Sequence, residues 1–428
     1  MTPQIERLDW DGADPEAMAA RLRTLAPSLE GVGAEVAAIV QQVRKQGDAG
    51  VRAVSEQLGE PVTQALRVDP EAIAAAPGLL EPAVREGLRV AAANIAAVAR
   101  AELAALERPA TAELEQGHRV EVVHAPVTAA GVYAPGGKAA YPSSVLMCCL
   151  PAKAAGVVRV AVASPPGEGG RPSPPVLAAC ALAGVDEVYA VGGAQAIAAL
   201  ALGTESVPAV EVVVGPGNLY VTEAKRQLAG RVGIEGLAGP SELLVVAGGT
   251  ADPEWIALDL CAQAEHGADS LLVVVSHDPA LLDRIGERVA ELAAERPTVG
   301  EARLALVTVP GLELSLSLSD AFAPEHLELA YSGADAAAAR GRVAGCVFVG
   351  AGGATAFGDY AAGSNHVLPT AGAARFGGPL GPGAFMRRTS VVSVPSSAAR
   401  ELSPHVAAVA DAEGFPVHGE SAGARAKP

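Results

Sequence analysis

Two pairs of residues have the types and spacing that metal or proton chemistry needs. Gln263 and His266 stand near the end of the segment 252–267, which reads as a helix: Asp252 can cap it, Pro253 suits its first turn and Gly267 can end it. Residues three apart share a helix face, so the pair could offer an amide oxygen and an imidazole nitrogen to one metal ion, or could simply form a solvated face. In Ala323-Pro324-Glu325-His326-Leu327-Glu328 an acid and an imidazole are adjacent. Neighbours in a helix or strand point apart, so these two are expected to address different parts of a site as separate proton acceptors rather than to form one dyad. The alternative is a helix that starts at Pro324, with Glu325 favourable to its dipole and His326 incidental.

Further polar groups lie downstream. The run from Gly358 to Thr370, with Asp359, Asn365 and His366, is dense in turn residues, and loops of that composition often carry function. Glu413-Gly414-Phe415-Pro416-Val417-His418 lies close to the C-terminus, where side chains are ordinarily exposed. Three glycine clusters stand at strand-turn-helix junctions: Ala134-Pro135-Gly136-Gly137, Val191-Gly192-Gly193-Ala194-Gln195 and Gly215-Pro216-Gly217-Asn218. Glycine there lets a backbone turn approach a phosphate closely. None is the GxGxxG fingerprint, and each reads equally as a tight turn.

These residues need a scaffold. From Leu22 to Ala105 apolar positions recur at three- and four-residue spacing, which predicts a mostly helical region. After Glu121 short β-branched runs alternate with Ala-rich helical segments, the pattern of βαβ units and a parallel sheet. One series comprises 157–163, 187–191 and 210–214, and a second 242–247, 270–276, 303–309 and 346–350, so two α/β units are expected. The Pro- and Gly-rich stretch 164–175 reads as a surface loop between strand and helix. From Gly377 onward the alternation is lost, and the remaining short polar segments make a tail too short to fold alone.

Composition narrows the function. At 428 residues the chain exceeds one hydrophobic core, and with half its residues hydrophobic but only 3% aromatic the core must be Ala, Val and Leu. A net charge of −17 and the lack of basic, aromatic-interleaved stretches argue against nucleic acid. A dinucleotide is still admissible, because backbone amides at a helix N-terminus hold pyrophosphate without a basic patch. The first 21 residues lack the features of a secretory signal and no apolar run resembles a membrane span, so the protein is read as soluble and cytoplasmic. Cys148, Cys149, Cys180, Cys261 and Cys346 show no metal or disulfide spacing and read as small buried hydrophobes.

Eight stretches, GVYAPGGKAAYPSSVLM, AVGGAQAIAALALGT, VVVGPGNLYVTEAK, LAGPSELLVVA, AQAEHGADS, APEHLEL, GDYAAGSNHVLPT and EGFPVH, occur in this order. Together they resemble the histidinol dehydrogenase family from about Val120 to His418. The resemblance implies two Rossmann-like parallel-sheet α/β units, a helical N-terminal region and a small C-terminal dimerisation tail. The expected division is 1–126 with 239–376, then 127–238 on the NAD side, then the tail 377–428.

It also implies roles for single residues. Gln263, His266, Asp359 and His418 match the family's ligands to one Zn2+ per subunit, and Glu325 and His326 its catalytic pair. Tyr133, Gln195 and Asn218 match positions that contact NAD. Ser241, His366 and Glu413 match positions that bind histidinol together with His326 and the metal ligands. The implied reaction is two successive NAD-dependent oxidations of L-histidinol through the aldehyde to L-histidine, in a homodimer whose Glu413 and His418 act in the other subunit's site. A paralogue acting on another small alcohol and a zinc hydrolase using Glu325 as general base are the alternatives. The chain departs from the usual family pattern at Glu235-Gly236, Ala354-Thr355 and Gly378-Pro379-Leu380.

Overall fold

A computed structural model of the chain describes residues 2–26, 31–61, 65–136, 140–167 and 169–426. The chain opens with β1 (Gln4–Asp9), and β2 (Ala110–Glu113) and β3 (Arg119–Pro126) follow a helical region. The next five strands are β4 (Ala129–Tyr133), β5 (Arg159–Ser164), β6 (Glu187–Ala190), β7 (Val212–Val214) and β8 (Gly233–Ile234). Then come β9 (Glu242–Ala247), β10 (Leu271–Ser276), β11 (Arg303–Thr308), β12 (His326–Ala330), β13 (Cys346–Val349) and, in the tail, β14 (Met386–Ser393).

Two parallel sheets result, as the alternating pattern predicts. One has the order β1-β11-β10-β9-β12-β13 and the other β6-β5-β4-β7-β8. Both faces of the first are covered, with Leu244, Val246, Leu327 and Leu329 in one core and Leu243, Val245, Leu272 and Val274 in the other. Successive strand residues point to opposite faces, and both faces being buried explains the unbroken apolar runs. β1, which the helical texture of the N-terminal region obscured, adds an edge strand beside β11 in register from Gln4 with Arg303.

In the second sheet the strand order reverses direction between β4 and β7, and there the crevice beyond the strands' C-terminal ends takes ligands in doubly wound sheets. All three glycine clusters sit at such ends, although Gly137 falls outside the described residues. At the reversal the turns after β4 and β7 touch. Gly215 has φ +115°, and a Cβ on it would lie 2.1 Å from the Tyr133 carbonyl oxygen. Only glycine fits there.

The packing of residues 1–126 differs from the expectation that all of them join the first unit. Helix Pro15–Arg23 does so, through Met18, Ala19 and Leu22 beside Phe322. Val36, Val40, Val43 and Val51 from the next two helices share a core with Tyr133, Ile197 and Leu200 of the second unit. Leu88, Ala91 and Ile95 of helix Pro82–Leu106 pack with Val132 and Val145 there. An apolar stripe says that a helix is covered, not which sheet covers it.

The tail is more regular than its composition predicts. β14 pairs antiparallel with β3, which pairs with β2, and helices Ser396–Ala412 and Pro416–Arg425 pack closely enough that a Cβ on Gly419 would lie 2.9 Å from Ala407 Cα. Yet nearly every residue of β14 is exposed, Val391 and Val392 among them, and so are Val406, Val409, Phe415 and Val417. No helix among the described residues is long and apolar enough to cross a membrane. All five cysteines are free; four are buried and Cys346 is half-buried.

Candidate active site

Between the two parallel sheets lies a cavity of about 380 Å3 lined by Ser241, Gln263, His266, Glu325, His326, Asp359 and His366, with Asn218, Tyr141 and Ser144 on the facing wall. Helix Pro253–Ala264 begins as predicted, its Asp252 side chain accepting from the Glu254 N–H at 2.9 Å. It carries Gln263 into the cavity fully buried, with neither amide atom hydrogen-bonded. A buried unpaired amide costs about 1–3 kcal/mol, so this side chain is poised for a ligand. His266, in the turn after the helix, is exposed to the same space.

Pro324 does not start a helix: His326 opens β12, and Glu325 lies just before it, off the strand's pleat. For that reason the neighbours do not point apart. Glu325 Oε2 is 3.5 Å from His326 Nδ1, and Asp359 Oδ1 is 3.5 Å from Nε2 on the ring's other side. Burial alone would hold the imidazole neutral, but the Glu325 and Asp359 carboxylates outweigh it and raise its basicity well above that of an ordinary histidine. His366 is the opposite case, with burial as the prevailing influence that lowers its pKa. Its Nδ1 is 2.8 Å from the Asp359 carbonyl oxygen and its Nε2 3.0 Å from Ser144 Oγ.

A supporting chain of groups behind this pair left no mark in the sequence. The Glu242 N–H donates to Glu325 Oε2 at 2.8 Å, and the Glu242 carbonyl oxygen lies 3.2 Å from His326 Nδ1. The Glu242 carboxylate is in turn ion-paired to Arg23, which donates to the Phe322 carbonyl and stands 4.1 Å over the Phe322 ring. The backbone of one residue, through its N–H and its carbonyl, thus orients both members of the pair, and that residue lies 219 positions from its anchor.

Two candidate groups lie outside the cavity lining. Tyr133 and Gln195 are buried at the C-terminal ends of the second sheet's strands, where the Gly193 N–H donates to Tyr133 Oη at 3.2 Å. Glu413 and His418 are exposed on the tail, His418 with its ring edge-on to Phe415 at 5.6 Å. Asn218 lines the cavity and caps helix Leu219–Leu228 by accepting from the Val221 N–H at 3.1 Å.

The family model for histidinol dehydrogenase matches residues 24–426. The chain belongs to the histidinol dehydrogenase family. It is 44% identical over 429 residues to the histidinol dehydrogenase of Rhodospirillum rubrum, covering 98% of each chain, and 42% identical over 415 residues to that of Rhizobium meliloti, covering 95% of each. A crystal structure of histidinol dehydrogenase from Elizabethkingia anophelis superposes with a TM-score of 0.90 at 29% identity, over 99% of this chain and 98% of that one.

Against the usual histidinol dehydrogenase pattern, the departure at Glu235 has a visible role. Its Oε1 accepts from the Gly215 N–H at 2.7 Å and from the buried Lys225 Nζ at 2.6 Å, so it ties down the turn that carries Asn218. Gly378-Pro379-Leu380 lines a second cavity that shares Ser241, Glu325 and His366 with the first. Ala354 precedes helix Thr355–Tyr360, and Thr355 is buried there.

Two positions beyond His326 on the same face of β12, Glu328 is buried with Oε2 unpartnered. Burial, with Asp259 adding repulsion, pushes its carboxyl up to about 8. A folded-state pKa above the unfolded value means stability present at low pH and lost as pH rises, here across the window from about 4.5 to about 8. The loss runs at about 1.4 kcal/mol per unit at most. Glu328→Gln removes that slope, so thermal melts should show the variant gaining on the parent between pH 5 and pH 8. Parallel melting curves across that range would refute a neutral buried Glu328.

Proposed function

We propose that this chain oxidises L-histidinol through the aldehyde to L-histidine with two molecules of NAD, as a cytoplasmic homodimer. The observation that carries the reading is the meeting, in one cavity, of the unpaired Gln263 amide, His266 and Asp359 with the Glu325–His326 pair. Domain division follows the same reading: the first sheet with its helices, the NAD-side unit built on 127–238, and a dimerisation tail from 377.

An amide oxygen, an imidazole nitrogen and a carboxylate are donors that suit zinc and leave positions open for a fourth ligand and substrate. Gln263, His266 and Asp359 would hold Zn2+ with His418 from a second copy. Zinc, when bound, supplies a fixed anchor for the substrate's nitrogen atoms, and NAD accepts the hydride.

The chain's own groups do the rest. Ser241, His366 and a second copy's Glu413 orient histidinol, and Tyr133, Gln195 and Asn218 hold the dinucleotide. Close, fixed placement supplies much of the rate. His326 takes the hydroxyl proton as the carbinol carbon loses hydride, giving the aldehyde. Glu325 then takes a proton from the water that adds to the aldehyde carbon, and the hydrate anion so formed loses a second hydride to NAD to give the carboxylic acid, which releases its proton to solvent as the carboxylate.

The deciding experiment mixes purified protein with L-histidinol and NAD and follows NADH absorbance. Two equivalents of NADH per histidinol are expected. Turnover of another small alcohol with none of histidinol would move the assignment to a paralogue, and hydrolysis without NADH to a zinc hydrolase.

The tail's exposed Val391, Val392, Val406, Val409 and Phe415 support docking on a second copy, through an isologous two-fold interface. His418→Ala subunits and His266→Ala subunits should each be inactive, whereas their mixture should recover part of the activity through heterodimers with one intact site. Mixtures that stay inactive despite proven subunit exchange would exclude a shared site.

A further inference from the structure

The second parallel sheet has an acid at its ligand-binding edge that none of its own strands supplies there. In doubly wound sheets a dinucleotide crosses the C-terminal ends of the strands, and a carboxylate at the end of the second strand hydrogen-bonds the ribose 2′-hydroxyl. β5 is the second strand here, next to β4, and it runs out as Ala163-Ser164-Pro165. Glu60, from the segment after helix Asp48–Gln57, lies over that end. A Cβ on Gly192 would be 2.7 Å from Glu60 Oε1 and 2.8 Å from Pro165 Cγ, which puts the acid against the ends of both β5 and β6.

The surroundings point to a ligand. Glu60 Oε2 accepts from Ser55 Oγ and from Gln195 Nε2, each at 3.0 Å, which fixes the carboxylate and leaves Oε1 as an acceptor. Gln195 and Ser164 are fully buried, yet Gln195 Oε1 and Ser164 Oγ have no partner. Gln195 Oε1 is 2.6 Å from the Cβ position of Gly193, and Ser164 Oγ 2.9 Å from that of Gly136. Glu60 itself is only half-buried, so a hydroxyl can reach it.

We propose that Glu60 binds the adenosine ribose of the dinucleotide and selects NAD over NADP. The role rests on the NAD reading above. The 2′-phosphate of NADP would stand beside a fixed carboxylate, and two like charges at hydrogen-bond range repel.

The test is steady-state kinetics with each dinucleotide at saturating histidinol. The parent protein should prefer NAD. In Glu60→Gln the ratio of kcat/KM for NAD to that for NADP should fall at least about tenfold, the worth of one hydrogen bond to a charged group, with the KM for histidinol little moved. A ratio that stays the same would overturn the proposal. Glu60→Asp keeps the charge but draws it back, so it should raise the KM for NAD while still rejecting NADP; an unchanged KM for NAD counts against Glu60 even if the Gln variant does not fold. Reduction of neither dinucleotide by the parent protein would strike the cofactor reading itself instead.

Discussion

Replacing His326 by Asn is expected to lower kcat for histidinol oxidation by roughly 10²–10⁴-fold, the range for loss of a positioned general base. The imidazole is held from three directions, by the Glu242 carbonyl, the Glu325 carboxylate and the Asp359 carboxylate, and it stacks on Phe348 at 6.0 Å between ring centres. Asn preserves a polar group of similar reach but cannot take the proton. Glu325→Gln should divide the two half-reactions. Its carboxylate is oriented by the Glu242 N–H, which Gln can still engage through its amide oxygen, so hydride loss from the alcohol should be retained better than conversion of supplied histidinal to histidine. Single-turnover measurements from alcohol and from aldehyde read this directly. Equal damage to both half-reactions in both variants would sink the division of labour.

Removal of the metal should abolish turnover, and added zinc should restore it. Gln263, His266 and Asp359 reach the cavity from two separate segments, and the unpaired Gln263 amide leaves a buried polar group that a bound ion would satisfy. Without the ion the substrate loses its anchor, and a misplacement of about 1 Å at the reacting carbon is enough to cost 10²-fold. His266→Ala should lose bound metal, measured by elemental analysis, in step with activity. Metal-free protein with full activity would show that these residues bind no functional ion.

Much of the scaffold was legible because it is written in short-range periodicity. The apolar runs at 242–247 and 303–309 are strands nearly as predicted, and the capped helix ahead of Gln263 has its expected start. Gly215 had to be glycine, but only the approach of two turns, one after β4 and one after β7, shows why. The contact between Glu325 and His326 was not legible, since it depends on a strand beginning one residue later than Glu325. Arg23, Glu242 and Glu60 were invisible for a related reason: nothing in a lone Arg or Glu announces a partner more than a hundred residues away.

The sequence alone determined the two parallel α/β units, the helical N-terminal region, the family and the residue types offered to the site. Those follow from the periods of side-chain direction, two in a strand and 3.6 in a helix, and from motifs in a fixed order. Tertiary structure alone decided that the helices from Gly33 to Leu106 cover the second sheet and that the Glu242 backbone orients both Glu325 and His326. The physical reason is that a buried face needs only some complementary surface. Which surface it meets depends on shape and on contacts between residues far apart in the chain, and those are set when the whole chain packs.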